Sequence, residues 1–324
     1  YWEEIMLLTR IVLSLGSIGL IPAVIGNVSA QDYPGKAIRI ITAAAGGGSD
    51  FNARQIAQGI SGPLGQPVIV DNRTPLPASE AVSKAPPDGY TLMVGGDSMW
   101  VLSLLRQTPY DPVRDFSPIS LISMDVNVFV VHPSLPVKSV KELIALAKAR
   151  PGELNYSTTP SGGSSHLAGE LFKSMAGVNI VRVGYAGGAA AVTALISGEV
   201  QLTIASAGSA APHVKSGKLR ALAVTSAEPT ALVPGLPTVA ASGLPGYEFV
   251  GVTGIWAPAK TPTAIIDILN REIVRVLSRP EVKERFTKTG QEIIGNSPAQ
   301  FAAAIKADIA KMGKVIKEAG IKVD

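Results

Sequence analysis

Between Ile38 and Leu64 the apolar positions change period. Ile38, Ile40 and Ile41 form a β-branched run bounded by turn formers, which predicts a buried strand. Ala53, Ile56, Ala57, Ile60 and Leu64 then recur at helical spacing and make one apolar stripe. Further along, "QPVIVDN" and "YTLMVGG" read as strands, with a short helix and turn between them in "SEAVSKAPPDG". "NVFVVHP" predicts another strand, and "SVKELIALAKARPG" a helix with Ser139 as N-cap and Glu142 at capping-box spacing. Then follow "ELNYSTT", a helix from His166 to Met175, "NIVRVGY", a helix from Ala189 to Ile196, and "EVQLTIAS". A short helix from Ala210 to Lys215, "LRALAVTS" and "YEFVGVTGIWAP" complete the strands, and helices from Pro262 to Leu277 and Pro298 to Glu318 close the chain. Strands alternating with helices predict an α/β protein with a largely parallel sheet.

Three strand-to-helix junctions hold almost nothing but glycines and hydroxyls. The first is "AAAGGGSD", where Gly46, Gly47 and Gly48 lead into a helix that Ser49 or Asp50 can cap, and Asp50 stands four residues before Arg54. The second carries Ser157, Thr158, Thr159, Ser161, Ser164 and Ser165 around Gly162 and Gly163. In the third, Tyr185 precedes Gly187 and Gly188. Bare amides at a helix start attract anions, although a tight turn alone also needs residues that tolerate positive φ. Ligands of open α/β sheets sit beyond the carboxyl ends of strands, where such loops gather, so the three together point to one anion site. A valine at Gly47 would then block both close approach and positive φ.

Composition removes several chemistries. The chain has 324 residues, 46% apolar and 17% charged, enough for two packed domains. Its 29 basic and 25 acidic residues are scattered and aromatics are 5%, so a nucleic-acid partner is not expected. With no cysteine there is no thiolate catalysis and no zinc–cysteine site. The glycine loop lacks the G-x-G-x-x-G spacing, and no G-x-x-x-x-G-K-[ST] occurs. Ser98 in "GGDSMW" and Ser164–Ser165 beside His166 do not match G-x-S-x-G, which argues against a serine hydrolase. The three histidines stand at 132, 166 and 213, not at metal-ligand spacing. No enzyme activity, cofactor or metal is expected. At the N-terminus, Arg10 precedes an apolar run from Ile11 to Ile25 that ends in Val28-Ser29-Ala30, which predicts export with cleavage after Ala30 and a periplasmic product. Residues Tyr1 to Ile5 precede the first plausible initiator, Met6.

The sequence resembles the periplasmic substrate-binding proteins of tripartite tricarboxylate transporters, the TctC or Bug family. "YPGKAIRIITAAAGGGSD", "GQPVIVDNR", "PPDGYTL", "YDPVRDFSPISLI", "HPSLPVKSVKELIALAKARPGELNYS", "GSSHLAGELFKSMAG", "SGKLRALAVTS" and "GLPTVAASGLPGYE" carry the resemblance, in family order over the whole chain beyond residue 30. It implies a two-lobed, periplasmic-binding-protein-like fold of type II. Each lobe would be a mostly parallel sheet flanked by helices, with two strands as the hinge. The crossings would lie near "NVFVVHP" and "YEFVGVTGIW", giving 31–130 with 250–324 as one lobe and 131–249 as the other. The resemblance also implies a monomer that closes on a small organic carboxylate and delivers it to the permease subunits of such a transporter. A sensing component that presents the ligand to a membrane kinase is the alternative.

Carried over by position, the ligand-binding stretches are Ala45, Gly46, Gly47, Gly48, Ser49 and Asp50; Gly96 to Ser98; Ser157 to Ser165; and Tyr185 with Gly187. Three departures stand out. Thr42-Ala43-Ala44-Ala45 replaces prolines, Thr74 to Ser79 replaces a longer glycine-rich loop, and Ala205 stands where relatives often carry an aspartate. The last predicts that amino-acid ligands are disfavoured.

Overall fold

The computed structural model describes residues 33–43, 45–159 and 163–319. The leader, its cleavage after Ala30, and the candidate site residues Ser161 and Gly162 lie outside these. Along the chain come β1 (Ile38–Thr42), α1 (Gly48–Leu64), β2 (Val68–Asn72), α2 (Pro75–Ser83), β3 (Thr91–Gly96), α3 (Ser98–Leu105) and β4 (Phe116–Asp125). Next are β5 (Asn127–Val131), α4 (Val140–Ala149), β6 (Asn155–Thr158), α5 (Ser164–Ala176), β7 (Val181–Gly184), α6 (Gly188–Ile196), β8 (Leu202–Ser206), α7 (Ala207–Lys215) and β9 (Arg220–Val224). The last are β10 (Gly251–Pro258), α8 (Thr263–Leu277), α9 (Pro280–Lys288), β11 (Gln291–Ile293) and α10 (Pro298–Ala319).

One strand order serves two sheets. The first runs β11-β4-β10-β3-β1-β2 and the second β7-β6-β8-β5-β9. In the first, β1 pairs in parallel with β2 and β3, while β10 lies antiparallel between β3 and β4. In the second, β6 pairs in parallel with β7 and β8, while β5 lies antiparallel between β8 and β9. Both sheets are therefore mixed rather than largely parallel. In each sheet the strand that arrives from the other one, β10 or β5, runs against both its neighbours.

The crossing is short on one side and long on the other. Asp125 ends β4 in the first sheet and Asn127 begins β5 in the second, so only Val126 separates them. "NVFVV" pairs wholly within the second sheet. The return runs from Val224 to Gly251, and it is anchored where Tyr247 packs on Phe129 and Phe172 with ring centroids 6.0 and 6.2 Å apart. The Tyr247 hydroxyl donates to the Ala168 carbonyl at 2.9 Å. On the first sheet, Trp256 packs against Trp100 and Phe301, which seats α10. That helix contacts α3 and β4 on one side and α5 on the other. Everything from Pro34 onward holds together as one compact unit.

Local rules account for the helix starts. The Ser139 hydroxyl accepts from the Glu142 amide at 3.2 Å, and the Glu142 carboxylate accepts from the Lys138 amide at 2.7 Å. The departure at Thr74 to Ser79 is helical: Thr74 is the N-cap of α2, with proline in its first turn.

Candidate functional site

In each sheet the first of the three parallel strands lies between the other two, β1 between β2 and β3 and β6 between β7 and β8. The connections from such neighbours leave in opposite directions and open a crevice at their carboxyl ends. The loops after β1, β3, β6 and β8, with the loop after β7, line one cavity of about 790 Å³. Each runs directly into a helix: α1, α3, α5, α7 and α6 respectively. The first amides of a helix have no intrahelical partner and carry partial positive charge, so five such ends converge on one space.

The first loop owes its shape to Gly46 and Asp50. Gly46 holds a left-handed φ of 82°, which a side chain would strain. The Asp50 carboxylate accepts from its amide at 2.9 Å, from Arg54 Nε at 3.1 Å and from Asn72 Nδ2 at 2.8 Å. Burial pushes the Asp50 carboxyl up, but the bonds from Arg54, Asn72 and Gly46 outweigh it and leave it below its ordinary value. Gly47 differs from expectation. It is the N-cap residue with φ −87° and ψ 172°, ordinary extended backbone, and a Cβ there would meet nothing. Neither Ser49 nor Asp50 is the cap.

The hydroxyl loop is tied in the same way. Ser165 Oγ accepts from the Thr159 amide at 2.9 Å and lies 2.9 Å from Thr159 Oγ1. Ser164 Oγ accepts from Asn127 Nδ2 at 2.8 Å, which joins α5 to the first residue of β5.

Of the residues singled out from the sequence, Gly46, Gly47, Gly48, Ser49, Gly96, Ser98, Thr159, Gly163, Ser164, Ser165, Gly187 and Ala205 line the cavity. Ala45, Asp50, Ser157, Thr158 and Tyr185 do not. Ala45 is exposed. Asp50 is committed to shaping its loop. Ser157 and Thr158 are fully buried because β6 runs on through them; their hydroxyls donate to the carbonyls of Ala191 and Thr159. The Tyr185 hydroxyl donates outward to Glu199 at 2.7 Å.

Residues without a sequence signal supply the rest. Phe51, Ala78, Met93, Met99, Leu102 and Tyr110 give an apolar wall, and the Tyr110 hydroxyl donates to the Met99 carbonyl at 2.9 Å. Asn127, Thr203, Ser206, Ser209, Thr253, Thr289 and Gln291 add polar groups. No Lys, Arg or His lines the cavity among the described residues, and Ala44, Pro160, Ser161 and Gly162 carry no charge either. Two acids do line it. Asp97 stands at the start of α3, only 7% exposed. Burial pushes its carboxyl up to about 8, helped by Asp308 and Asp125 and opposed by the main-chain amides of Ser98 and of Asp97 itself. Asp125, at the end of β4, is pushed by burial up to about 6 against a 2.7 Å bond from Gln291 Nε2. Asp97 lies within the stretch Gly96 to Ser98, but nothing in its spacing separates an acid in a cavity from an ordinary helix cap. Asp125 is placed by the exit of β4 alone.

The profile described as "Tripartite tricarboxylate transporter family receptor" (TctC) matches residues 52–321. Protein BugT of Bordetella pertussis is 34% identical over 98% of this chain and 100% of its own length. The structure named "R. palustris Rpa4515 with adipate" is 36% identical and superposes with a TM-score of 0.82, covering 90% of this chain and 100% of that one. MatC (Rpa3494) of Rhodopseudomonas palustris, with bound malate, is 27% identical with a TM-score of 0.79 over 88% and 100%. The family description names a receptor rather than an enzyme, and the two sheets flanked by helices match solved periplasmic binding proteins, BugD among them at 29% identity and a TM-score of 0.80 over 90% of this chain and 100% of that one. Among the described residues no helix is long and apolar enough to cross a membrane. The chain belongs to the tripartite tricarboxylate transporter receptor family, TctC or Bug, of periplasmic solute-binding proteins.

Proposed function

We propose that this protein is a periplasmic receptor that captures a small organic carboxylate between two lobes and delivers it to the membrane permease of a tripartite tricarboxylate-type transporter. The observation that carries this reading is the cavity itself, lined by loop amides and hydroxyls at five helix starts and, among the described residues, by no cationic side chain. A carboxylate meets hydrogen-bond donors there without the desolvation cost of a buried lysine or arginine. Each bond to a charged group in such a place is worth ~1.5–3 kcal/mol. The adipate and malate of the two Rhodopseudomonas structures are of this class.

The lobes are taken as the two sheets with their helices, meeting at Val126 and along the return to Gly251. Closure would be a hinge motion about these two connections, driven by a ligand that touches both lobes. Contacts across the cleft suit the closed form. Gly208, at the start of α7, lies so close to Thr289 and Gly290 that a Cβ on either glycine would strike the opposite backbone. Nearby, Thr230 Oγ1 donates to Glu292 Oε1 at 2.6 Å.

A thermal-shift panel of mono-, di- and tricarboxylates tests the reading. A true ligand at about 100 times its dissociation constant adds ~2.7 kcal/mol of stability and raises the unfolding midpoint accordingly. A panel in which no carboxylate shifts the midpoint, repeated by calorimetry with the same result, removes the reading.

A further inference from the structure

The electrostatics of the cavity narrow the ligand class, on the premise that a carboxylate binds there. Five helix starts and their hydroxyls serve the negative end of a ligand. Asp97 and Asp125 face the same space, and a second negative end would meet them with no cationic side chain among the described residues to mediate.

Both acids are held in place by groups that do not neutralise them. Asp125 Oδ1 takes the amide of Gln291, itself a cavity residue. The Asp97 carboxyl is met by its own and the Ser98 main-chain amides. Behind it, away from the cavity, a pocket of about 30 Å³ separates it from Glu248, Asp308 and Lys311. Those groups are already engaged with each other and with Trp100. Lys311 Nζ pairs with Glu248 at 3.0 Å, and Trp100 Nε1 donates to Asp308 at 2.6 Å. Lys311 is thus drawn off from Asp97, and Asp308 adds a further like charge to its surroundings. Among the described residues no three acidic or histidine side chains converge to hold a metal ion.

We propose that the ligand is a carboxylate that also carries a protonated amine, and that Asp125, seconded by Asp97, receives that amine. A buried carboxylate favours an ammonium over a hydroxyl because the charge cancels as the bond forms. The apolar wall of Met93, Met99, Leu102 and Tyr110 then houses the carbon chain between the two poles. With Asp97 largely protonated at neutral pH, the pair carries one net negative charge, which matches one ammonium. This replaces the expectation drawn from Ala205. That position is indeed vacant of an acid, but Ala205 pairs with Val128 and Ala207 donates to the Val126 carbonyl, within one residue of Asp125. Asp125 would then serve from the neighbouring strand exit in place of an acid at Ala205.

The test is calorimetry on matched pairs: 4-aminobutyrate against butyrate, 5-aminopentanoate against pentanoate and against glutarate, and glutamate against glutarate. The parent protein is expected to bind at least one amine-bearing acid tenfold or more tighter than its amine-free counterparts. Asp125→Asn is expected to collapse that ratio to about twofold, with Asp97→Asn reducing it less. Should Asp125→Asn fail to fold, the ratios in the parent still decide. If butyrate, pentanoate or glutarate binds and no amine improves on it, this inference is overturned and the carboxylate-receptor reading stands. A tenfold preference that Asp125→Asn and Asp97→Asn both leave intact overturns the assignment to this pair. Binding of no carboxylate at all overturns both readings.

Discussion

At the scale of single residues, the cavity rewards substitutions that change one property at a time. Gly47 has extended backbone and open space beyond its Cα, so valine there adds bulk to the cavity without straining the chain. Gly47→Val is expected to keep its unfolding midpoint within about 2 °C and to lose at least tenfold in ligand affinity, ~1.4 kcal/mol. Equal affinity in the variant and the parent would take Gly47 out of the site. Asp97 makes a different prediction, about pH. Its folded carboxyl titrates at about 8, well above the ~3.9 of an unfolded aspartate, so the folded state holds the extra proton between those values. Stability therefore falls as pH rises from about 4 to 8 and levels off above. Asp97→Asn should flatten that slope and raise the midpoint at pH 8 by a few °C. Parallel pH profiles for the two proteins would show that Asp97 is not a strained acid. Asp50 shows the opposite arrangement a short distance away: three donors hold it ionised, and its work is to shape a loop.

Between elements, the contact to examine is that of α7 with the turn from α9 to β11. Gly208 and Gly290 bring backbone against backbone at the mouth of the cavity, beside Ser209, Thr289 and Gln291. Contacts this close leave no room for a methyl group. Gly208→Val should therefore hold α7 away from the turn. The expected result is ligand affinity weakened at least tenfold, with a radius of gyration by X-ray scattering that fails to contract when ligand is added. A variant that binds and contracts like the parent would show that closure does not run through this contact. The same scale explains why some elements were silent in the sequence. β4 reads "FSPISLISMD", with a proline and three serines where a buried strand would ordinarily be aliphatic. Its serines are tolerated because the structure provides partners, as where Ser120 donates to the Asn296 carbonyl at 3.0 Å. β11 is three residues long, too short for any period to show.

For the whole molecule, one strand order is used twice, and the chain threads both sheets before returning. No repeat is visible in the residues, because each strand needs only buried side chains of the right period, and many sequences supply them. The linear pattern determined most helices and most strands, though not α3 or α9, together with the capping box at Ser139 and Glu142 and the loops of glycine and hydroxyl at the strand exits. Those features depend on neighbours within a few residues, and such rules are readable along a chain. Which of those residues share a space was decided only by the tertiary structure. It carried Ser157 and Thr158 into the second sheet, turned Tyr185 toward Glu199, and aimed Asp97 and Asp125 into the cavity. The physical reason is that burial and field belong to a place rather than to a residue. An aspartate beside a glycine is a helix cap in the sequence, and it becomes a neutral acid only when burial takes it out of water and Asp308 and Asp125, from distant parts of the chain, add like charge beside it.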